Sequence, residues 1–309
     1  MRMQRGFMFG KKVIKIVQHR KITYIISLVI IVAGLATIAV RGGLNMGIDF
    51  AGGNMMQVWL KDEVNIAEVR DVLIGTGYGN NVQNIADPDR NLFILKTAAL
   101  ERDNDLVIQE ITDALKQEFG SSRVEIEKVD IVGPRISSYL LRTSYVVGLV
   151  AILLILLYTT FRFRFRFGVA AICALVHDVL IVLSLISFFG KEVDTFILAA
   201  LLTIIGYSLN DTIVVFDRAR ENFKTAKNYE DYENTVNLSI NQSLSRTLIT
   251  SITTLLVVIS LYVFGGNIMR NFAFALIIGI LAGTYSSMFV ASAIVVDWHR
   301  LKPEKIKKV

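Results

Sequence analysis

The chain has 309 residues, 53% of them hydrophobic, and a formal net charge of +6. Its mean hydropathy of +0.52 exceeds that of an ordinary globular domain and points to a polytopic membrane protein. The single cysteine, Cys173, excludes an intrachain disulfide and a thiolate metal cluster. The absence of Gly-x-x-x-x-Gly-Lys-Ser/Thr, Gly-x-Ser-x-Gly and His-Glu-x-x-His runs leaves ATP-motor and hydrolase readings without support.

In chain order, Arg2, Arg5, Lys11, Lys12, Lys15, Arg20 and Lys21 lead into an apolar run over residues 22–40. That run is too long for a signal-peptide core, and no Ala-x-Ala-like site closes it. It reads as a retained first transmembrane helix behind a basic N-terminus (1–21). Residues 41–137 are different: polar, acidic and patterned as small elements. Residues 54–60 alternate like a strand. Ile66, Val69 and Leu73 fall at helical spacing, with Gly-Thr-Gly-Tyr-Gly closing that helix. Residues 82–86 and 92–97 read as strands around the turn Asp-Pro-Asp-Arg-Asn. Ile108, Ile111, Leu115 and Phe119 predict a second helix that Gly120 stops, and 123–132 alternates again. Strand, helix, strand, strand, helix, strand predicts a ferredoxin-like α+β domain. It holds no cluster of catalytic residue types, so a binding or contact module is expected.

Five further apolar runs, 138–160, 167–189, 195–216, 248–264 and 272–298, are each long enough to span a bilayer. The links between them are asymmetric in charge. Arg162, Arg164 and Arg166, the segment 217–247 with Arg218, Arg220, Lys224, Lys227 and Arg246, and the tail 299–309 with Arg300, Lys302, Lys305, Lys307 and Lys308 fall on the side of the basic N-terminus. Only Lys191 and Arg270 fall opposite. The positive-inside rule then places both termini in the cytoplasm and the 41–137 domain on the outer side. In the link Phe161–Phe167, alternating Phe and Arg fits a tight turn at an anionic headgroup layer better than a nucleic-acid surface.

An acid inside a membrane span is the sharpest signal. On the fourth span Ile204, Ser208, Asp211 and Val215 share one face, with Thr203, Tyr207 and Asn210 beside it. A carboxylate at such depth costs at least about 2.5 kcal/mol. It is either a structural acid bonded to a neighbouring helix or a group that binds and releases a proton, and its cost favours the second. On the fifth span Arg246, Thr250, Thr253 and Thr254 recur at spacings of three and four. Arg246 either snorkels to headgroups or reaches Asp211, and the hydroxyls either bond across helices or hold water. On the sixth span Ala275, Gly279, Gly283, Ser287 and Ala291 form a ladder of small residues that lets helices approach closely. His177 and Asp178, adjacent on the third span, point about 100° apart and make no metal pair. One of them can face the Asp211 stripe.

Several stretches together resemble one family. Gly47-Ile48-Asp49-Phe50-Ala51-Gly52-Gly53 is similar to the Gly-Ile-Asp-Phe-x-Gly-Gly signature of the SecD/SecF family of protein-export membrane proteins. Ala51 stands where Thr is more usual. Gly133-Pro134 resembles that family's entry to the second helix. The run from Ile204 to Arg218, Asn241 to Thr247, and Gly283 to Ser287 are also similar. The resemblance implies half of a resistance–nodulation–division (RND) transporter, with six helices and the ferredoxin-like domain between the first two. It implies a SecD partner, the SecYEG channel, an emerging unfolded polypeptide and membrane lipids as contacts, with SecA and accessory membrane subunits reached indirectly. It implies no enzyme activity, no nucleic acid and no cofactor. The coupling ion would be a proton, with sodium an alternative that oxygen-rich stripes also suit. Asp211 and Arg246 fall on positions implicated in proton conduction, with Asn210, Thr250 and Thr254 lining the route. Gly47, Asp49, Phe50, Gly52, Gly53, Gly133 and Pro134 would form signature or hinge positions, and Gly279, Gly283 and Ser287 a packing seam. Two other readings are a small-molecule or lipid exporter of the RND kind and a passive scaffold in which Asp211 is purely structural.

Overall fold

A computed structural model describes residues 13–78, 82–86, 90–98, 104–163, 165–225 and 232–302. The basic residues before 13, part of the Asp-Pro-Asp-Arg-Asn turn, Arg164, Lys227 and the lysines of the tail from 305 onward lie outside the described residues. The chain divides into two compact units, residues 46–146 and residues 1–45 with 147–309.

The smaller unit is built on a four-stranded sheet of order β2-β3-β1-β4. Its elements are α2 (Ile48–Ala51), β1 (Gly53–Leu60), α3 (Ile66–Gly75), β2 (Val82–Ala86), β3 (Asn91–Thr97), α4 (Asn104–Phe119) and β4 (Val124–Val132). β1 is central and antiparallel to both neighbours, with Val58 opposite Phe93 and Ile126. Period-two alternation sends Met56, Val58 and Leu60 to one face. There they meet Phe93 and Leu95 of β3, Val69 and Leu73 of α3, and Val107, Ile111 and Leu115 of α4. Each such side chain contributes about 1.5–3 kcal/mol on burial. Asn65 caps α3 by accepting from the Ala67 amide at 3.0 Å. Glu127 is the extra residue of a bulge between β1 and β4, since Gln57 pairs with Lys128 and Val58 with Ile126. The element order expected from the sequence is the order found.

The larger unit holds α1 (Arg20–Val40), the second half of α5 (Pro134–Arg162), α6 (Phe165–Phe188), α7 (Thr195–Thr225), α8 (Tyr232–Phe264), and α9 (Asn267–Ser286). α9 passes through a π turn at Ser287–Ala291 into α10 (Ser292–Leu301). Among the described residues six helical spans, with α9 and α10 counted as one, are long and apolar enough to cross a membrane. Their outer faces are lined by exposed aliphatic side chains such as Leu28, Leu153 and Leu256. Close approach depends on small residues: a Cβ on Gly34 would overlap Ser184, one on Gly279 would overlap Ile204, and one on Gly283 would lie 2.8 Å from the Ser208 Cβ.

Much of 217–247, expected as the link between the fourth and fifth spans, is helical: α7 runs on to Thr225 and α8 begins at Tyr232. The two extensions bind each other, Arg218 Nε donating to Gln242 Oε1 at 2.6 Å and Asn222 Nδ2 to Ser239 Oγ at 2.8 Å. α8 also holds the chain's own early residues. Asn241 accepts from the Ile14 amide and donates to its carbonyl, both at 2.9 Å. Asn237 accepts from the Val17 amide at 3.0 Å. The Phe-Arg link is only partly turned to lipid. Phe161 and Phe165 are exposed, but Phe163 is buried, edge-on to Phe216. Arg162 pairs with Asp217 at 3.0 Å, and Arg166 Nη1 donates to the Lys302 carbonyl at 2.7 Å.

Candidate functional site in the membrane unit

α7 carries Asp211 into the bundle. The residue is 2% exposed, and its Oδ2 has no hydrogen-bond partner. Two contacts fix the antiparallel register of α7 and α8. Tyr207 Oη donates to Ser251 Oγ at 3.4 Å, and Arg218 Nε reaches Gln242 lower down. Four residues on from Tyr207 is Asp211, and four back from Ser251 is Thr247, so the two lie level. The Thr212 and Thr247 hydroxyls are likewise buried without a partner. Asp211 Oδ2, the hydroxyl of its chain neighbour Thr212 and the Thr247 hydroxyl at the same level of α8 are therefore buried with their bonding capacity unused. Buried polar groups are nearly always bonded, so such a cluster is a place where a small polar occupant gains partners.

Arg246 is exposed at its place on α8. Asn210 is on the exposed side of α7. The Thr250 hydroxyl donates to the Thr247 carbonyl at 2.9 Å and lies 3.1 Å from the Arg246 carbonyl, while that of Thr254 donates to the Thr250 carbonyl at 2.9 Å. These two are committed to their own helix. Beside them Ser251 does cross, its hydroxyl 2.7 Å from that of Thr284 of α9. Gly279 and Gly283 pack on Ile204 and Ser208, on the face of α7 that carries Asp211. Ser287 is fully buried, and its carbonyl accepts from Ser292 Oγ at 3.1 Å, across the π turn.

The signature glycines lie in the smaller unit. Gly52 (φ 74°) and Gly53 (φ 124°) turn the chain from α2 into β1 through backbone conformations that L side chains rarely adopt. Phe50 is buried beside them, while Gly47 precedes α2. Pro134 opens α5, with the Gly133 carbonyl accepting from the amides of Ile136 and Ser137 at 3.0 and 3.1 Å.

A second buried acid does not stand out in the sequence as Asp211 does. Asp178 of α6 is 1% exposed, and its Oδ2 accepts from Ser208 Oγ at 2.5 Å and from Ser286 Oγ at 2.8 Å. Its Oδ1 lies 2.9 Å from His177 Nδ1, and His177 Nε2 lies 2.9 Å from Ser27 Oγ of α1. Four segments thus meet on one carboxylate and its imidazole, one helical turn from Asp211. The cost argument that singles out Asp211 applies equally to Asp178 and is the signal that finds it. Among the described residues no group of three or more His, Cys, Asp or Glu is placed to hold a metal ion.

Comparison with known proteins places this architecture. A family model described as "Protein export membrane protein SecD/SecF, C-terminal" matches residues 111–301, and one described as "SecD/SecF GG Motif" matches 38–58. The chain is 44% identical to the protein translocase subunit SecF of Rhodothermus marinus over 91% of this chain and 92% of that protein. It is 39% identical to that of Vibrio alginolyticus over 97% and 95%. The crystal structure of SecDF from Thermus thermophilus, a translocon-associated membrane protein, superposes with a TM-score of 0.82 at 36% identity, covering 94% of this chain and 39% of that one. SecDF in its super-membrane-facing form gives a TM-score of 0.68 at 35% identity over 95% and 40%. The chain is therefore similar to about two-fifths of a SecDF chain and to nearly the whole of its SecF relatives. With its two motif regions, six spans and sheet domain all accounted for, it belongs to the SecD/SecF family of protein-export proteins, polytopic in the inner membrane.

Proposed function

We propose that this chain is the six-helix half of a proton-driven auxiliary unit of the Sec translocase. It pairs with a SecD-type partner, associates with the SecYEG channel, and promotes late steps of polypeptide export, with SecA and accessory subunits contacted only indirectly. The observation that carries the reading is Asp211: a carboxylate buried in a membrane helix, one oxygen without a partner, level with two unpartnered hydroxyls. A carboxylate in that setting changes charge when it takes a proton, and Arg246 feels the change. One elementary charge moved through the membrane potential yields about 2.3 kcal/mol per 100 mV, enough to bias two helix arrangements. Asn210, Thr250 and Thr254 flank the route. The proton is the favoured coupling ion and sodium the alternative.

The sheet domain is read as ferredoxin-like and lies on the outer side, where it meets the emerging chain. Its β-α-β-β-α-β order and its β2-β3-β1-β4 sheet support the fold, and the basic links support both termini being cytoplasmic. Gly52 and Gly53 are the hinge candidates of its entry. Asp211→Asn tests the whole scheme. Export that depends on the proton gradient is expected to fall about tenfold or more, the factor that about 1.4 kcal/mol of lost coupling represents. Export at the normal rate would rule out Asp211 as the carrier and leave the scaffold reading.

A further inference from the structure

The buried pair His177–Asp178 has a protonation state that its hydrogen bonds dictate. Tyr285 Oη has one proton and donates it to the Thr23 carbonyl, 2.8 Å away. Ser27 Oγ donates its own proton to Tyr285 Oη at 3.3 Å. With both hydroxyl protons so placed, Nε2–H is the donor in the 2.9 Å contact between His177 Nε2 and Ser27 Oγ. At the other end, Asp178 Oδ2 accepts from both Ser208 and Ser286. Between them lies the 2.9 Å contact of His177 Nδ1 with Asp178 Oδ1. One proton fits there. Two would collide, and none would set two lone pairs against each other.

We propose that His177 and Asp178 form a second proton-binding centre of the membrane unit: a net-neutral pair that holds one shared proton, whose presence latches α7 to α1, α6 and α9. The pair is neutral whether the proton rides on Nδ1, as imidazolium and carboxylate, or on Oδ1, as imidazole and carboxylic acid. The groups that face it are Thr23 and Ser27 from α1, Ser208 from α7 with Asp211 a turn beyond, and Tyr285 and Ser286 from α9. No lysine or arginine is among them, so no fixed cation substitutes for the proton. If the proton leaves, a net negative charge remains at a site 1% exposed, a state that is costly without a partner. Ser208 is the seat of the latch. It lies three residues before Asp211, and Gly283 is pressed against it. The inference rests on the family's export role but not on Asp211 carrying protons.

The experiment uses the full chain in lipid vesicles, labelled with nitrogen-15 at histidine. His19→Gln and His299→Gln leave His177 as the sole imidazole of the three in the chain. Solid-state NMR from about pH 5 to about pH 8, the range in which a free histidine titrates, is expected to show Nε2 protonated throughout. In Asp178→Asn the amide stands in for the protonated carboxyl, donating to Nδ1 and accepting from the serines, so His177 is expected to remain the neutral Nε2–H form. An unprotonated Nε2 would overturn the assigned direction, and a His177 found as imidazolium in Asp178→Asn would overturn the shared proton, since the imidazole would then hold that proton without the carboxyl. Asp178→Asn is also expected to accumulate and melt like the parent chain while export falls about tenfold, a loss in the range of measured couplings. Undiminished export from Asp178→Asn would reduce the pair to a static bolt.

Discussion

The membrane unit buries many more polar side chains than the sheet domain does. In the sheet domain the ion pairs Lys61–Glu125, Arg90–Glu127 and Arg123–Asp62 lie at the surface. Its interior is Met56, Val58, Phe93, Ile111 and Leu115. In the membrane unit leucines and isoleucines face outward, while Asp178, Asp211, Ser208, Ser286, Asn237 and Asn241 are buried. Lipid removes the hydrophobic gain from packing one apolar helix on another, so small residues and interhelical hydrogen bonds take over that work. A lost methylene therefore matters most in the sheet domain, and a lost polar partner matters most among the membrane helices.

Substitutions can break that contrast, and the largest effects test its two poles. Phe93→Ala empties a fully buried position and is expected to cost the sheet domain about 3–5 kcal/mol, read as lost hydrogen-exchange protection in β1 and β3 with the membrane helices unchanged. Asp178→Ala strands Ser208, Ser286 and His177 without their acceptor and is expected to cost about 3–5 kcal/mol, read as a lower melting temperature in detergent. Equal melting of Asp178→Ala and the parent would sink the idea that buried polar contacts hold the bundle. Gly279→Val forces a side chain into Ile204 and is expected to cost about 1–3 kcal/mol by overpacking, with α7 and α9 gaining solvent exchange. Arg123→Ala removes a pair that is roughly half exposed on both sides and is expected to change stability by about 0.2–1 kcal/mol, vanishing in high salt.

The apolar runs announce the six spans because bilayer thickness demands length and hydrophobicity together. The sheet domain is legible because its alternation and helical spacing both match a single buried face. What stayed hidden depends on contacts between distant residues. His177 and Asp178 look unrelated when only their 100° separation is considered, yet a histidine bends back onto its neighbour while both reach other helices. The polar half of α8, from Tyr232 to Arg246, reads as a link because polar residues dominate it, although Tyr232, Val236, Ile240 and Leu244 recur every four residues and pack in the core. Asn237 and Asn241 add bonds to the backbone near Ile14 and Val17 that no local pattern announces. The π turn at Ser287–Ala291 leaves no mark in composition, since each of its residues is at home in an ordinary helix. Of the residues tied to Asp211, the stripe on α7 is readable, while the pairing of Thr247 with its level needs the register of two helices.

The asparagine clamp on residues 14–17 has a consequence for biosynthesis. The Val17 amide finds its acceptor on Asn237, 220 residues later in the chain. At a synthesis rate of about 5–20 residues per second, roughly 10–45 seconds separate the two on the ribosome. The segment that leads into the first span is therefore among the last to settle, after the nascent chain has threaded its intervening helices into the bilayer. A ribosome that stalls before α8 leaves that leading segment with no acceptor to dock on, so the clamp closes only on chains in which α8 has been made.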